Sequence, residues 1–169
     1  FHQARLNYAR KTLFNTEEVI NLEQLINNPP TEATYKCRII YSRNIEQLEY
    51  LPHPERNFRT FQLVEHNSIV YNFKFLNRDS LNRLSERKGP ADDILIIKNG
   101  LITDTSIANV AFLDKDDHWI TPATPLLKGT TRERLLRENR LVEAEIKLAD
   151  LPKFTQMAIM NAMIGFYLI

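Results

Sequence analysis

Three short stretches of the chain carry side chains that could do chemistry together. Lys74 lies between two phenylalanines, Asp104 follows a predicted turn, and Gly129 precedes the predicted start of a helix. Desolvation lowers the pKa of a lysine and makes its amine a nucleophile toward carbonyls. A carboxylate can hold a ring N–H, and a helix start preceded by glycine can bind a phosphate. These three groups are what a protein needs to hold an aldehyde cofactor that bears a phosphate.

Each stretch also has a structural interpretation, which is favoured when the stretch stands alone. Lys74 could be a strand-end lysine that reaches solvent. The run 103–106 could be a capped turn, because Thr, Asp and Ser side chains bond readily to nearby backbone. The residues after Gly129 could be an ordinary helix start with Thr130 or Thr131 as its cap. The chemical hypothesis therefore depends on all three stretches acting together.

The N-terminal part of the chain is predicted to form two helices. Residues at helical spacing over 2–13 predict the first. Asn15 and Thr16 are candidate caps of the second, which the pair Pro29-Pro30 ends because proline lacks the backbone donor. The apolar face of this second helix is Val19, Leu22, Leu25 and Ile26.

Most of the remaining chain reads as strands. From Thr34 the apolar period changes to two, which predicts a strand as far as Ser42. Asn99-Gly100 is the preferred pair for a type I′ turn and predicts a hairpin around it, between 93–98 and 101–103. Further predicted strands are 45–51, 58–64, 68–73, 109–113, 119–121, 141–147 and 156–163, and further helices lie near 80–87 and 131–139.

Runs of strands with a few helices between them indicate the α+β class. We place a boundary near residue 75. This gives a small N-terminal α+β domain at 1–75 and a C-terminal domain at 76–169, and we expect further residues before Phe1.

Composition and charge disfavour several kinds of partner. The chain is 43% hydrophobic and 25% charged, which is typical of folded soluble domains. The net charge of +1 gives no support to nucleic acid or an anionic membrane, since both require a basic excess. No apolar run reaches the roughly 18 residues that span a bilayer, and we find no signal-peptide pattern. We therefore expect a cytoplasmic protein that acts on a small molecule.

Cysteine and histidine usage points to no further chemistry. Cys37 is the single cysteine and lies in a predicted strand, so we expect a buried thiol in a reducing compartment. The four histidines are scattered without ligand spacing, and we predict no metal site.

Five blocks, taken in order, resemble the class IV pyridoxal-phosphate-dependent enzymes, a family that includes branched-chain and D-amino acid aminotransferases and 4-amino-4-deoxychorismate lyase. The second and fifth blocks are closer to the lyases than to the aminotransferases, and the third has aspartate where the family usually has glutamate. The blocks are His2-x-x-Arg5-Leu6, Lys74-x-Leu76-Asn77-Arg78, Thr103-Asp104-x-x-x-Ala108-Asn109, Thr121-Pro122 followed by Leu127-x-Gly129-x-Thr131-Arg132, and Met160-Asn161-Ala162-Met163.

The resemblance implies a role for each block. Lys74 would bind the aldehyde of pyridoxal 5′-phosphate covalently and then move the substrate proton. Asp104 would hold the N–H of the pyridine ring, at a position where the family usually has glutamate, and Asn109 in the same block would also bind the cofactor. The residues implied in phosphate binding are Arg5, Thr130, Thr131, Asn161 and Ala162. Arg38 and Arg78 are the candidate partners of substrate carboxylates, although a solvated strand or helix face explains either of them equally well.

The resemblance also implies the architecture and the reaction. The fold would be a small N-terminal α/β sandwich domain followed by a C-terminal pseudobarrel, assembled as a homodimer with the site near the subunit interface. The reaction would be the lyase step that gives 4-aminobenzoate and pyruvate for folate synthesis. The alternatives are an aminotransferase acting on branched-chain or D-amino acids with a 2-oxo acid, and a domain that binds the cofactor weakly and serves in protein interactions. The candidate dimer core is Phe58, Phe61, Phe73 and Phe75.

Overall fold

The computed structural model describes residues 1–169, and the chain divides into two compact units, Phe1–Arg56 and Asn57–Ile169. Both units combine helices with antiparallel strands, which confirms the α+β class. No helix is long and apolar enough to cross a membrane.

The first unit contains helix α1 (His2–Phe14), the single turn α2 (Leu22–Leu25) and the antiparallel pair β1 (Tyr35–Tyr41) and β2 (Ile45–Pro52). Helix α1 buries Leu6, Ala9 and Arg10. The Arg10 guanidinium is 1% exposed and donates to the backbone carbonyls of Glu18 and Arg43. A buried arginine thereby ties the helix to the loops of its own unit.

The predicted second helix is wrong over most of its length. Asn15 adopts the left-handed conformation (φ 50°) that ends α1, so it is a C-cap and not an N-cap. The chain then runs irregularly to Asn21, whose side chain caps α2. Val19 is 69% exposed, so the apolar face proposed for this helix does not form.

The prediction that the Cys37 thiol is buried is also wrong. Strand β1 pairs with β2 alone in a two-stranded sheet, and Cys37 is exposed on it. A strand in a two-stranded sheet can leave either face exposed to solvent. The alternating pattern predicted the strand but not which face would be buried.

The second unit is built on an eight-stranded sheet with the order β10-β9-β6-β5-β4-β3, from which β7 and β8 branch off beside β6. The pairs β3–β4 and β7–β8 are parallel and the others antiparallel. Its elements are β3 (Phe61–Glu65), α3 (Asp79–Ser85), β4 (Asp93–Lys98), β5 (Leu101–Thr105), β6 (Asn109–Leu113), β7 (Trp119–Pro122), α4 (Thr130–Arg137), β8 (Val142–Ala144), β9 (Gln156–Asn161) and β10 (Gly165–Leu168).

Strand β4 is buried on both faces. Leu95 and Ile97 belong to one apolar cluster, while Ile94 and Ile96 belong to a second cluster that includes residues of α3. Each such side chain contributes about 1.5–3 kcal/mol through burial. This strand fixes the position of β5, which carries the polar site.

The division between the units falls earlier in the chain than the boundary near residue 75. Strand β3 pairs in parallel with β4, so it belongs to the second unit. The predicted strand at 68–73 does not form: Ile69 and Tyr71 are buried in the loop that follows β3. Strand β10 was not predicted as a separate strand.

The predicted hairpin around Asn99-Gly100 is confirmed. Both residues have positive φ, 52° and 78°, as a type I′ turn requires. The hairpin of β6 and β7 and the helix that follows Gly129 are also present as predicted.

Candidate functional site

Asp104 is a buried carboxylate at the end of β5. It is 5% exposed, and its two oxygens accept different donors. Oδ1 accepts from the Asn109 amide over 2.7 Å, and Oδ2 accepts from the Leu127 backbone N–H over 2.9 Å. Burial raises the pKa of Asp104 from its ordinary 3.8 to about 6, although these hydrogen bonds and the Arg132 charge oppose the rise.

Asn109 faces Asp104 directly across the β5–β6 pair. Its Nδ2 also donates to the Leu127 carbonyl over 2.7 Å. Asp104, Asn109 and Leu127 therefore form a closed set of hydrogen bonds, which joins the sheet to the loop that leads into α4.

Helix α4 begins at Thr130 with Gly129 as its N-cap. Glycine has no side chain that could cap the first turn, and Thr130 and Thr131 are 8% and 7% exposed. A helix start of this kind attracts anions, because its first backbone N–H groups have no partner within the helix and the helix dipole places partial positive charge at this end.

Arg132 lies on the same first turn and was missed as a functional residue by sequence reasoning. It is 2% exposed, donates to the Pro122 carbonyl over 2.8 Å and forms an ion pair with Glu143. Its place at the end of the fourth resemblance block, directly after the two threonines, was the available signal. Arg132 holds α4 against the strand ends and supplies positive charge that favours the ionised form of Asp104.

Lys74 lies in the loop between β3 and α3, so the predicted strand-end position is wrong. The lysine is exposed. Around it three aromatic rings pack edge to face, with centroid separations of 6.1 Å for Tyr71–Phe75 and 5.8 Å for Phe73–Phe75. The Tyr71 hydroxyl also donates to the Phe75 carbonyl over 3.2 Å. These contacts order the loop that carries the amine.

Arg78 connects this loop to the turn that follows Asp104. Its Nη2 donates to the Ser106 carbonyl over 2.7 Å, and the guanidinium lies 5.9 Å from the centre of the Tyr71 ring. The loop of Lys74 and the turn after β5 are therefore joined through one side chain.

Asn161 reaches the same turn from β9. Its Nδ2 donates to the Ile107 carbonyl over 3.3 Å, while Oδ1 accepts from the backbone N–H groups of Met163 and Ile164 over 2.8 and 3.0 Å. The side chain builds the turn between β9 and β10, and Ala162 is exposed in that turn. The structure thus gives Asn161 a structural role in the second unit.

The two remaining candidates belong to the first unit. Arg5 is half-buried on α1. Arg38 forms an ion pair with Glu49, its partner across the β1–β2 pair. A cross-strand ion pair accounts for Arg38 without a substrate.

The clefts of the second unit do not mark this site. A cleft of about 500 Å³ lies beside Asp114 and Lys153, and one of about 310 Å³ lies beside Lys98 and Leu126; neither is lined by Lys74 or Asp104. The hydrogen bonds that join Asp104, Asn109 and Leu127 are the better guide, because they surround a buried carboxylate whose pKa is raised, as is common at functional sites.

Comparisons with known proteins identify relatives of this chain. A protein of Haemophilus influenzae, described only as uncharacterized, is 37% identical over 168 residues, covering 97% of this chain and 89% of the relative. A crystal structure from Haemophilus somnus, provisionally described as a 4-amino-4-deoxychorismate lyase, has a TM-score of 0.89 and 33% identity, covering 97% of this chain and 88% of the other. A hypothetical aminotransferase from Mycobacterium tuberculosis in its PLP-bound form shares the fold, with a TM-score of 0.77 and 15% identity, covering 99% and 73%.

The family match extends over the whole chain. The sequence pattern described as amino-transferase class IV covers residues 1–169. The chain belongs to the class IV aminotransferases, a family of pyridoxal-phosphate-dependent enzymes.

Proposed function

We propose that this protein binds pyridoxal 5′-phosphate and converts 4-amino-4-deoxychorismate to 4-aminobenzoate and pyruvate, a step of folate synthesis. The observation that carries the proposal is the buried Asp104 carboxylate, joined by the Leu127 N–H to the loop that opens α4. The lyase is favoured over an aminotransferase by the 33% identity to the Haemophilus somnus protein.

The residues present fit this cofactor. A carboxylate has about four lone-pair positions, so Asp104 keeps acceptor capacity for a ring N–H beside its bonds to Asn109 and Leu127. A helix start with a glycine N-cap suits a phosphate. The exposed Lys74 is accessible to an aldehyde.

Each residue then has a defined task. The cofactor supplies an electron sink for the substrate carbon that loses its proton. Lys74 binds the aldehyde and moves the proton at its Nζ. Asp104 accepts the ring N–H, and a cationic N–H beside it favours the ionised carboxylate. The backbone at Thr130 and Thr131 binds the phosphate, and Asn161 and Ala162 shape the turn between β9 and β10.

Of the two arginines proposed for the substrate carboxylate, Arg78 is the stronger candidate. It contacts Ser106, two residues after Asp104, and its hydrogen bond to the Ser106 carbonyl uses one of its five N–H donors. Arg38 is paired with Glu49 on a strand of the first unit.

An assay for pyruvate separates the lyase from its alternatives. We expect pyruvate and 4-aminobenzoate from 4-amino-4-deoxychorismate without added 2-oxo acid. Amino transfer from branched-chain or D-amino acids to 2-oxoglutarate, without pyruvate release, would instead identify an aminotransferase. A folded protein that neither retains the cofactor nor catalyses either reaction would identify a domain used for interaction only.

We further propose a cytoplasmic homodimer. Val70 and Leu76 are 68% and 66% exposed, and Phe75 is 37% exposed, so the loop around Lys74 presents apolar surface. Phe58 is 4% exposed within the second unit and does not contribute to such an interface. Sedimentation equilibrium should give twice the chain mass of 19.8 kDa, whereas a single-chain mass would rule the dimer out.

A further inference from the structure

Asn109 makes an unusual pair of contacts from a single atom. Its Nδ2 carries two hydrogens, and it lies 2.7 Å from Asp104 Oδ1 and 2.7 Å from the Leu127 carbonyl oxygen. The Leu127 N–H returns to the other oxygen of Asp104. Among short side chains only asparagine offers two donor hydrogens on one atom. Serine has one donor, and ionised aspartate has none.

Gly129 lies against the other end of the same amide. A Cβ built on Gly129 would be 2.0 Å from Asn109 Oδ1 and 3.2 Å from its Cγ, with no other heavy atom nearer than the Asn109 Nδ2 at 4.0 Å. The backbone of Gly129 has φ −74° and ψ 149°, which any residue adopts. Glycine is therefore required here for space and not for backbone conformation.

We propose that Asn109 is a positioning residue that fixes the Asp104 carboxylate against the loop opening α4, and that position 129 is glycine because the Asn109 amide occupies the volume of a side chain. Both hydrogen bonds of the Asn109 Nδ2 go to protein atoms, so this proposal differs from the cofactor contact that the family resemblance implies for Asn109. It holds the acceptor of the ring N–H and the start of the phosphate-binding helix in one fixed relation.

The role follows from what each partner lacks without Asn109. Asp104 would keep only its backbone donors, and its buried charge would be less stabilised. The Leu127 carbonyl would lose its side-chain donor, so the loop before Gly129 would be freer to move. An enzyme that binds one rigid ligand at both places benefits from having them aligned beforehand.

A double-mutant cycle tests the steric half of the proposal. The variants are Asn109→Ala, Gly129→Ala and the two combined. We expect each single change to weaken binding of pyridoxal phosphate about tenfold, as loss of a buried hydrogen bond does. We expect the double variant to be no worse than Asn109→Ala, because truncation of Asn109 removes the atoms that a Cβ at position 129 would meet. Equal and additive losses would show that the glycine has another purpose.

A measurement without cofactor tests the positioning half. The carboxyl titration of Asp104, followed by carbon-13 NMR, should move to higher pH in Asn109→Ala and in Gly129→Ala. Gly100→Ala is the matched control, since that glycine has open space around it and should leave the titration unmoved. An Asp104 titration that does not move in Asn109→Ala contradicts the positioning role.

The proposal can still be tested if the Asn109→Ala variant fails to fold. If Asn109→Ala does not fold, Asn109→Ser and Gly129→Ala carry the same test, with circular dichroism to establish folding. The inference rests on the proposed function for its meaning, but the Asp104 titration is measured without cofactor. A wild-type protein that fails to bind pyridoxal phosphate would refute the proposed function while the Asp104–Asn109–Gly129 relation could still be confirmed.

Discussion

Leu127 donates its backbone N–H to Oδ2 of Asp104 over 2.9 Å. The residue is three positions before Thr130, where α4 begins. The carboxylate proposed to face the pyridine ring and the helix proposed to face the phosphate are thus parts of one hydrogen-bonded unit.

The raised pKa of Asp104 predicts a component of stability that decreases as pH rises. The folded pKa is about 6 and the ordinary value is 3.8, so between these pH values the folded state binds more protons than the unfolded state. Stability from this group is complete below about pH 4 and falls through pH 6, by about 3 kcal/mol in total.

Urea unfolding of wild type and Asp104→Asn at pH 4.5 and pH 7 measures this component. The comparison with the variant is needed because hydrogen bonds lower the pKa of Asp92, Asp114 and Asp150, which gives the opposite slope. We expect Asp104→Asn to gain stability relative to wild type between the two pH values. An unchanged difference would mean that Asp104 titrates normally in the folded protein.

Gly100→Ala should destabilise the protein without altering the site. The residue has φ 78° in the turn of the β4–β5 hairpin, a conformation that costs alanine about 1 kcal/mol. Asn99→Gly at the neighbouring position, where φ is 52°, is the matched control and should be close to neutral. Thermal unfolding of both variants measures the effect; an equal loss in both would point to lost side-chain contacts and not to backbone conformation.

Arg78→Ala should raise the KM for a carboxylate substrate at least tenfold, because a charge-assisted hydrogen bond is lost. Arg83→Ala, an exposed arginine on α3, provides the control. Steady-state kinetics and the absorbance of bound cofactor should be recorded together. A fall in cofactor binding with an unchanged KM would show that Arg78 only holds the Lys74 loop to Ser106.

What the sequence could predict was local. Asn99-Gly100 specified its turn because both residues favour positive φ there. Asn15 was misassigned because the same residue type suits a helix N-cap and a left-handed C-cap, and only the chain beyond it decides between them. The apolar run at 68–73 correctly predicted that Ile69 and Tyr71 are buried. It did not predict their structure, because a buried loop and a short buried strand can have the same amino-acid composition.

The candidate site divides in the same way. Residue types and their order were sufficient to single out Lys74, Asp104 and Gly129. The purpose of Gly129 was not visible, since its contact with Asn109 joins residues far apart in the chain. The buried state of Arg132 was likewise invisible, because an arginine in a first helical turn is ordinarily exposed.

The central claim is that Lys74 is the covalent partner of pyridoxal phosphate. The most direct measurement is the visible absorbance of the purified protein with the cofactor, for wild type, Lys74→Ala and the control Lys88→Ala, a lysine whose Nζ bonds the Asp92 carbonyl. Wild type and Lys88→Ala should show the band of a lysine-bound cofactor, and Lys74→Ala should lose it. A band that persists unchanged in Lys74→Ala would contradict the account.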